Sequence, residues 1–426
     1  MARVIVEVPA DNLKVGIYVS RLDRPWTDAP FLFQGFVIES EEQVDILRRL
    51  CKVVHVEVTE AEALELKTAK RVTSTRKPAP AASDATPDPW ELLTGDPAAL
   101  VHRVPIKDAV PLQHELEAAS VTFGEAKRTV GALFHDLRRG GGLDMPQLDA
   151  IVGSMVDSVL RNREAMGWLA RMRTKDDYLY SHSLAASVWA MAFGRHLGLD
   201  KETLKAVGTG AMMLDIGKTQ LPTELLRKSG QPTEAEWKMI REHVNHGVEM
   251  LRRTPHVDER VVTMIATHHE RYDGSGYPNK LKGDEIPLIG RIAGIVDCYD
   301  AMISDRKYAR PKSPFAAVRE LKQLGGVTYS PPLVELFIQA VGVFPTGTIV
   351  ELNTGEVGVV IGQNRFRRLR PEIMVILDAD KKVREEFATI NLLTCAQNSA
   401  SKEPTLWITA GLEAGAYGID PTEYFL

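Results

Sequence analysis

THHERYDGSGYP, Thr267 to Pro278, is the stretch on which the reading of this chain turns. Two adjacent imidazoles, His268 and His269, run straight into a turn rich in glycine and proline. A lone helical histidine is usually a satisfied, partly buried residue. Two neighbouring histidines, a turn of this composition and an aspartate downstream point instead to a site.

Short motifs on either side carry matching chemistry. Upstream, REHVNHGVEML supplies His243 and His246, with Gly247 allowing helices to approach closely. LDIGK supplies Asp215 and Lys218, a spacing that puts both on one helical face. YSHSLAAS sets His182 near the start of a helix. Downstream, RIAGIVDCYDAMISDR supplies Asp297, Asp300 and Arg306. Imidazole and carboxylate together suit Zn, Fe, Mn or Ni and are too nitrogen-rich for a simple Mg or Ca cage. A carboxylate can bridge two cations, and such a pair can activate water and clamp a phosphoryl group for in-line displacement. Lys218 could neutralise a phosphate, and Arg306 could hold one in a fork. His55, His102, His114, His135, His196, His246 and His256 are read as ordinary packing or surface residues, and Asp300 as a helix-surface or cap residue.

The chain is mainly α, with four segments. Residues 1–66 form a small α/β domain: RVIVEV and VVHVEV alternate as strands, and SEEQVDILRRLC between them is a helix with Ser40 as N-cap. RPWTDAPFLFQGF is an aromatic loop that packs this domain. Residues 67–111 are a flexible linker rich in Pro, Ala and Ser. Residues 112–345 are helical, with apolar residues at three- and four-residue spacing in HELEAASVTFGEAKRTVGALFHDLRRGGG and MPQLDAIVGSMVDSVLRNREAMGWLARM. Residues 346–426 return to strand alternation in GTIVELNTGEVGVVIGQN and EIMVILDA, and the basic cluster RFRRLR between them is read as a solvated loop tip.

The net charge of −5 across 426 residues gives no global drive toward duplex nucleic acid or an anionic membrane. Three scattered cysteines, Cys51, Cys298 and Cys395, suggest no disulfide framework or Cys-type zinc site and fit a reducing compartment. The most apolar stretch, LAASVWAMAFG, falls short of the roughly 20 residues that span a bilayer. A cytoplasmic location is expected.

HHERYDGSGYP matches the HHExxDGxGYP signature of the HD-GYP family in full, and the other motifs fall in that family's order. LKVGIYVSRLD and QGF resemble the N-terminal domain often found ahead of it. The resemblance covers about residues 112–345 and implies an HD-type helical bundle. It also implies hydrolysis of cyclic di-GMP to pGpG or GMP by an activated hydroxide at a dinuclear site, lowering a messenger that governs biofilm, motility and virulence. Cyclic GMP-AMP is a variant substrate. Two divalent cations are implied, Fe or Mn, held by His182, Asp215, His243, His268, His269 and Asp297, with Asp215 bridging. Lys218 and Arg306 would contact phosphate. Gly276, Tyr277 and Pro278 would shape the pocket or a surface for GGDEF-domain proteins.

Three positions depart from the family. Leu214 stands where the family carries the histidine of its HD pair, so one cation loses a nitrogen ligand. Three protein ligands plus water still make a workable catalytic site. Tyr178, a turn before His182, replaces the glutamate of trinuclear members, and Asp177 points elsewhere on the helix. DRKYAR replaces a DRPY-type segment. The loss at Leu214 opens a second reading, a module that binds cyclic di-GMP or a diguanylate cyclase without turnover.

Overall fold

The computed structural model describes residues 3–15, 17–23, 36–38, 41–59, 108–171, 178–228, 230–304, 311–363, 369–395, 406–413 and 415–424. The chain divides into two compact units, Met1–Pro87 with Asn364–Leu369, and Asp88–Gln363 with Arg370–Leu426. The expected N-cap Ser40, most of the aromatic loop, the linker up to residue 107, and most of RFRRLR lie outside the described residues.

In the first unit, β1 (Arg3–Pro9), β2 (Tyr18–Leu22), β3 (Phe36–Val37) and β4 (Val53–Thr59) form an antiparallel sheet in the order β1-β4-β2-β3. The period-two alternation of β4 buries Val54 and Val56 on one face. Val44 and Leu47 of α1 (Glu41–Leu50) close over them with Val8 and Val19.

The second unit is built around α5 (Tyr178–His196), which is apolar on nearly all sides and therefore buried. Before it come α2 (Leu112–Arg138), α3 (Met145–Arg161) and α4 (Ala165–Arg171). The continuous helical pattern of residues 145–172 is broken at Asn162, whose backbone is extended. Its side-chain Oδ1 accepts from the N–H groups of Glu164 and Ala165 at 2.8 and 3.1 Å, so it caps α4.

After α5 follow α6 (Lys201–Met212), a 3-10 turn (Ile216–Gln220), α7 (Thr223–Arg227), α8 (Glu234–Arg241), α9 (His243–Arg253) and α10 (Glu259–Thr267). Then come α11 (Leu288–Ile303), α12 (Pro314–Leu324) and α13 (Pro331–Val341). Aromatic rings fix α5 against α11 and α13: Trp189 meets Tyr299 edge-on at 5.5 Å, Phe193 meets Phe337 at 5.2 Å, and Tyr299 meets Phe337 at 5.1 Å. This cluster brings the first turns of α5 beside the last turns of α11.

Five antiparallel strands close the second unit, in the order β8-β7-β6-β5-β9: β5 (Ile349–Leu352), β6 (Val357–Gly362), β7 (Glu372–Leu377), β8 (Val383–Asn391) and β9 (Ile408–Gly411). The strands pack directly on the helices. Phe315 stacks on Phe344 at 4.9 Å, and Thr346 donates to Glu164 at 2.9 Å. Gly347, at φ +90°, approaches Trp168 so closely that a Cβ would lie 2.8 Å from the ring.

Candidate metal centre

The sequence motifs meet where α5, α9, α10 and α11 converge on the 3-10 turn after α6. Asp215 is not inside a helix. It precedes the turn Ile216–Gln220, because α6 ends at Met212. In 3-10 geometry residues i and i+3 eclipse, so Asp215 and Lys218 face each other, with Nζ donating to Oδ2 at 2.6 Å. Gly217 lets this turn abut α9: a Cβ there would lie 1.9 Å from the His243 carbonyl oxygen.

Three imidazoles gather on one side of Asp215. His243 opens α9, His268 caps α10 and His269 follows it. Their ligand atoms all lie within 4.8 Å of one another. The carbonyl of Ile240 lies 2.7 Å from His243 Nδ1, and that of Ile265 lies 2.7 Å from His268 Nδ1. Carbonyls only accept, so both Nδ1 atoms carry the proton. Burial foremost pushes His243 down to about 4 and lowers His268 as well. Burial, reinforced by His268 and His243, holds His269 well below the usual histidine range. The rings are therefore neutral at pH 7. The Nε2 atoms of His243 and His268 face each other at 3.4 Å with lone pairs and no proton between them. Two buried acceptors so placed fit a cation.

The other side of Asp215 is poorer in nitrogen. His182 Nε2 lies 3.1 Å from Asp297 Oδ1 and 3.8 Å from Asp215 Oδ2. His182 Nδ1 donates to Asp300 Oδ2 at 2.7 Å. Burial opposes a charged ring here, but the hydrogen bonds to Asp297 and Asp300 outweigh it and raise His182 to about 9. Leu214, beside Asp215 in the chain, is only 1% exposed and brings no lone pair.

Asp215 belongs to both sides: Oδ1 faces His243 Nε2 at 3.6 Å and Oδ2 faces His182. Burial would raise its pKa, yet Lys218, His182 and His243 outweigh that and hold it far below the usual carboxylate range. Asp297 is likewise lowered, with the His182 hydrogen bond overcoming burial.

Asp300 is the functional residue that sequence reasoning missed. It is not at the helix surface. It is fully buried, and besides His182 it accepts from Trp189 Nε1 at 3.0 Å and Ser304 Oγ at 3.0 Å. A carboxylate on the far nitrogen of a histidine fixes the ring and raises its basicity as a ligand.

The string after His269 forms a closed loop. Buried Glu270 accepts from the backbone N–H of Asn279 at 2.7 Å and of Leu281 at 3.0 Å. Tyr277 N–H donates to His269 O at 3.1 Å, and the Tyr277–Pro278 peptide is cis. Gly276 has no room for a side chain, since a Cβ would lie 2.4 Å from the Arg271 nitrogen. The Tyr277 ring stacks on His269 at 4.6 Å, and the Arg241 guanidinium lies 5.1 Å from the Tyr277 ring centroid as a cation–π partner. Arg306, Asp177 and DRKYAR beyond Ser304 lie outside the described residues, as does the side chain of Tyr178.

This helical frame with buried His and Asp side chains defines the HD class. The HD domain model matches residues 162–333, and a KOW domain associated with HD domains matches residues 349–398. A domain of unknown function (DUF3391) matches residues 5–148. A Pseudomonas aeruginosa protein named as a cyclic di-GMP phosphodiesterase is 31% identical over 377 residues, covering 88% of this chain and 86% of that one. A Vibrio cholerae protein named as a 3'3'-cGAMP-specific phosphodiesterase is 35% identical over 160 residues, 37% of this chain and 31% of that one. A solved HDG"Y"P protein from Bdellovibrio bacteriovorus aligns over 78% of this chain and 98% of its own, with 14% identity and a TM-score of 0.44. The chain belongs to the HD-GYP family.

Proposed function

We propose that the protein is a cyclic di-GMP phosphodiesterase that opens the ring to pGpG and on to GMP. The observation that carries this reading is Asp215, whose two carboxylate oxygens face two separate groups of potential ligands. The length-wide similarity to a named cyclic di-GMP phosphodiesterase supports the substrate. Similarity to a named cGAMP phosphodiesterase keeps cyclic GMP-AMP as a second substrate to test.

His243, His268 and His269 would hold one divalent cation, His182 and Asp297 a second, with Asp215 shared between them. The mixed imidazole and carboxylate set suits Zn, Fe, Mn or Ni, and of these the family resemblance favours Fe or Mn. Two such cations supply a nucleophilic water at neutral pH and charge neutralisation at the phosphodiester. The protein's own groups do the rest. Asp215, kept ionised, offers acceptors in both directions. Asp300 orients His182, and the carbonyls of Ile240 and Ile265 orient His243 and His268. Lys218 is the partly exposed ammonium available to a phosphate oxygen and to the leaving 3′ oxygen. Arg306 is proposed as a further phosphate contact. Tyr277 keeps its phenolic proton, because burial foremost raises its pKa, and can donate a hydrogen bond.

The turn Gly276 to Pro278, of which Pro278 is exposed and Gly276 buried, is proposed as the surface for a GGDEF-domain partner. Among the described residues no helix is long and apolar enough to cross a membrane. Cys298 is a free thiol, which supports a reducing, cytoplasmic site of action.

The test is incubation of purified protein, loaded anaerobically with Fe(II) or Mn(II), with cyclic di-GMP and separation of products. Linear pGpG or GMP is expected. Uncut nucleotide with both metals would overturn the reading.

A further inference from the structure

We propose that the centre holds its two cations unequally, because Lys218 already lies on the Asp215 oxygen that the second cation needs. The inference rests on the two-cation reading above. On the Oδ1 side of Asp215 stand three imidazoles with converging ligand atoms. On the Oδ2 side stand one imidazole, His182, and one carboxylate, Asp297. Lys218 Nζ sits 2.6 Å from that same Oδ2. Leu214 adds nothing to this side beyond a buried hydrocarbon.

A carboxylate oxygen has two lone pairs, so an ammonium and a metal ion can share it in geometric terms. Their like charges oppose the sharing in a buried site, where screening is weak. The Lys218 side chain is about a quarter exposed, at 24%, so it can swing toward solvent when the second cation enters. Among the described residues no ammonium is hydrogen-bonded to Asp215 Oδ1. Occupancy of the His182 side therefore follows the free divalent-metal concentration, while the three-histidine side stays filled. Turnover becomes responsive to metal supply, with Lys218 as the fixed charge that sets the threshold.

The experiment uses the full-length metal-free chain, titrated anaerobically with Mn(II). Free Mn(II) is followed by its EPR signal and binding by calorimetry. Two classes of one equivalent each are expected, separated by at least about tenfold in dissociation constant. Lys218→Met removes the competing charge and should tighten the weaker class while leaving the tighter class unchanged. Leu214→His adds a nitrogen beside Asp215 and should tighten the same class. Should that histidine prevent folding, Lys218→Met decides alone. Two equal classes in the unaltered protein would overturn the inference. So would a weaker class that Lys218→Met weakens or leaves in place, since Lys218 would then be a support for Asp215 and not a competitor. Cyclic di-GMP turnover at saturating Mn(II), measured on the same sample, tests the underlying reading separately. Unequal classes without turnover remove the hydrolase and keep the inequality; turnover with equal classes does the reverse.

Discussion

The two sides of Asp215 differ both in their residues and in how those residues are oriented. On one side, His243 and His268 are oriented by backbone carbonyls three residues earlier in the chain, that of Ile240 at the end of α8 and that of Ile265 in α10. Local structure alone sets those rings. On the other side, His182 is oriented by Asp300, which is 118 residues away in the chain. That ring depends on how α5 docks against α11, and hence on the Trp189, Tyr299 and Phe337 cluster. The first side is neutral and nitrogen-rich. The second is a network of charges, with His182 raised to about 9 between lowered carboxylates. One side is thus set by local geometry and the other by tertiary packing, and Leu214 adds no ligand atom beside Asp215.

Substitutions can break this contrast in order of expected effect. His268→Ala removes a proposed ligand from the nitrogen-rich side. It should lower Mn(II)-dependent turnover more than about 100-fold, beyond the losses typical of supporting residues, as initial rates on cyclic di-GMP would show. Asp300→Asn leaves every ligand in place but removes the charge behind His182. Affinity on the His182 side should fall by about 10–100-fold, with the three-histidine side unaffected, as read by Mn(II) titration.

The smallest effect on the centre should come from a buried charge remote from it. Glu115 is 2% exposed and accepts from Ser158 at 2.7 Å and twice from Arg161 at 2.8 Å. Glu115→Gln should cost about 1–3 kcal/mol in chemical denaturation, toward the low end because Arg161 is 42% exposed. Turnover should not change. Burial raises the Glu115 pKa, but Arg161 and Ser158 outweigh it, so the folded value lies below the ordinary 4.5. The stabilisation is then fully present above the unfolded value and is lost as pH falls through the folded one. The difference in stability between Glu115→Gln and the unaltered protein should shrink in acid.

Much of the centre was legible in the sequence because its parts lie in short, composition-rich strings. His268, His269 and the Gly276–Tyr277–Pro278 turn are contiguous, and Asp215 and Lys218 are separated by a single turn. Asp300 was not legible. On a helix that carries Asp297 one turn earlier, a second aspartate looks like a surface residue, and only the packing of α5 on α11 buries it. Asn162 was obscured in the same way: apolar spacing continues through it, and its side-chain capping of α4 overrides the pattern. The 3-10 geometry at Asp215 was hidden too, since the spacing of Asp215 and Lys218 suits an α-helix as well.

Asp215 is the residue on which both sides depend, and the most direct measurement is turnover of cyclic di-GMP by Asp215→Ala beside the unaltered protein. Both would be saturated with Mn(II) and checked for equal helical content by circular dichroism. Loss of product to the background rate, with the fold retained, is the predicted result. Production of pGpG by Asp215→Ala at a rate comparable to the unaltered protein would contradict a hydrolytic centre joined by Asp215.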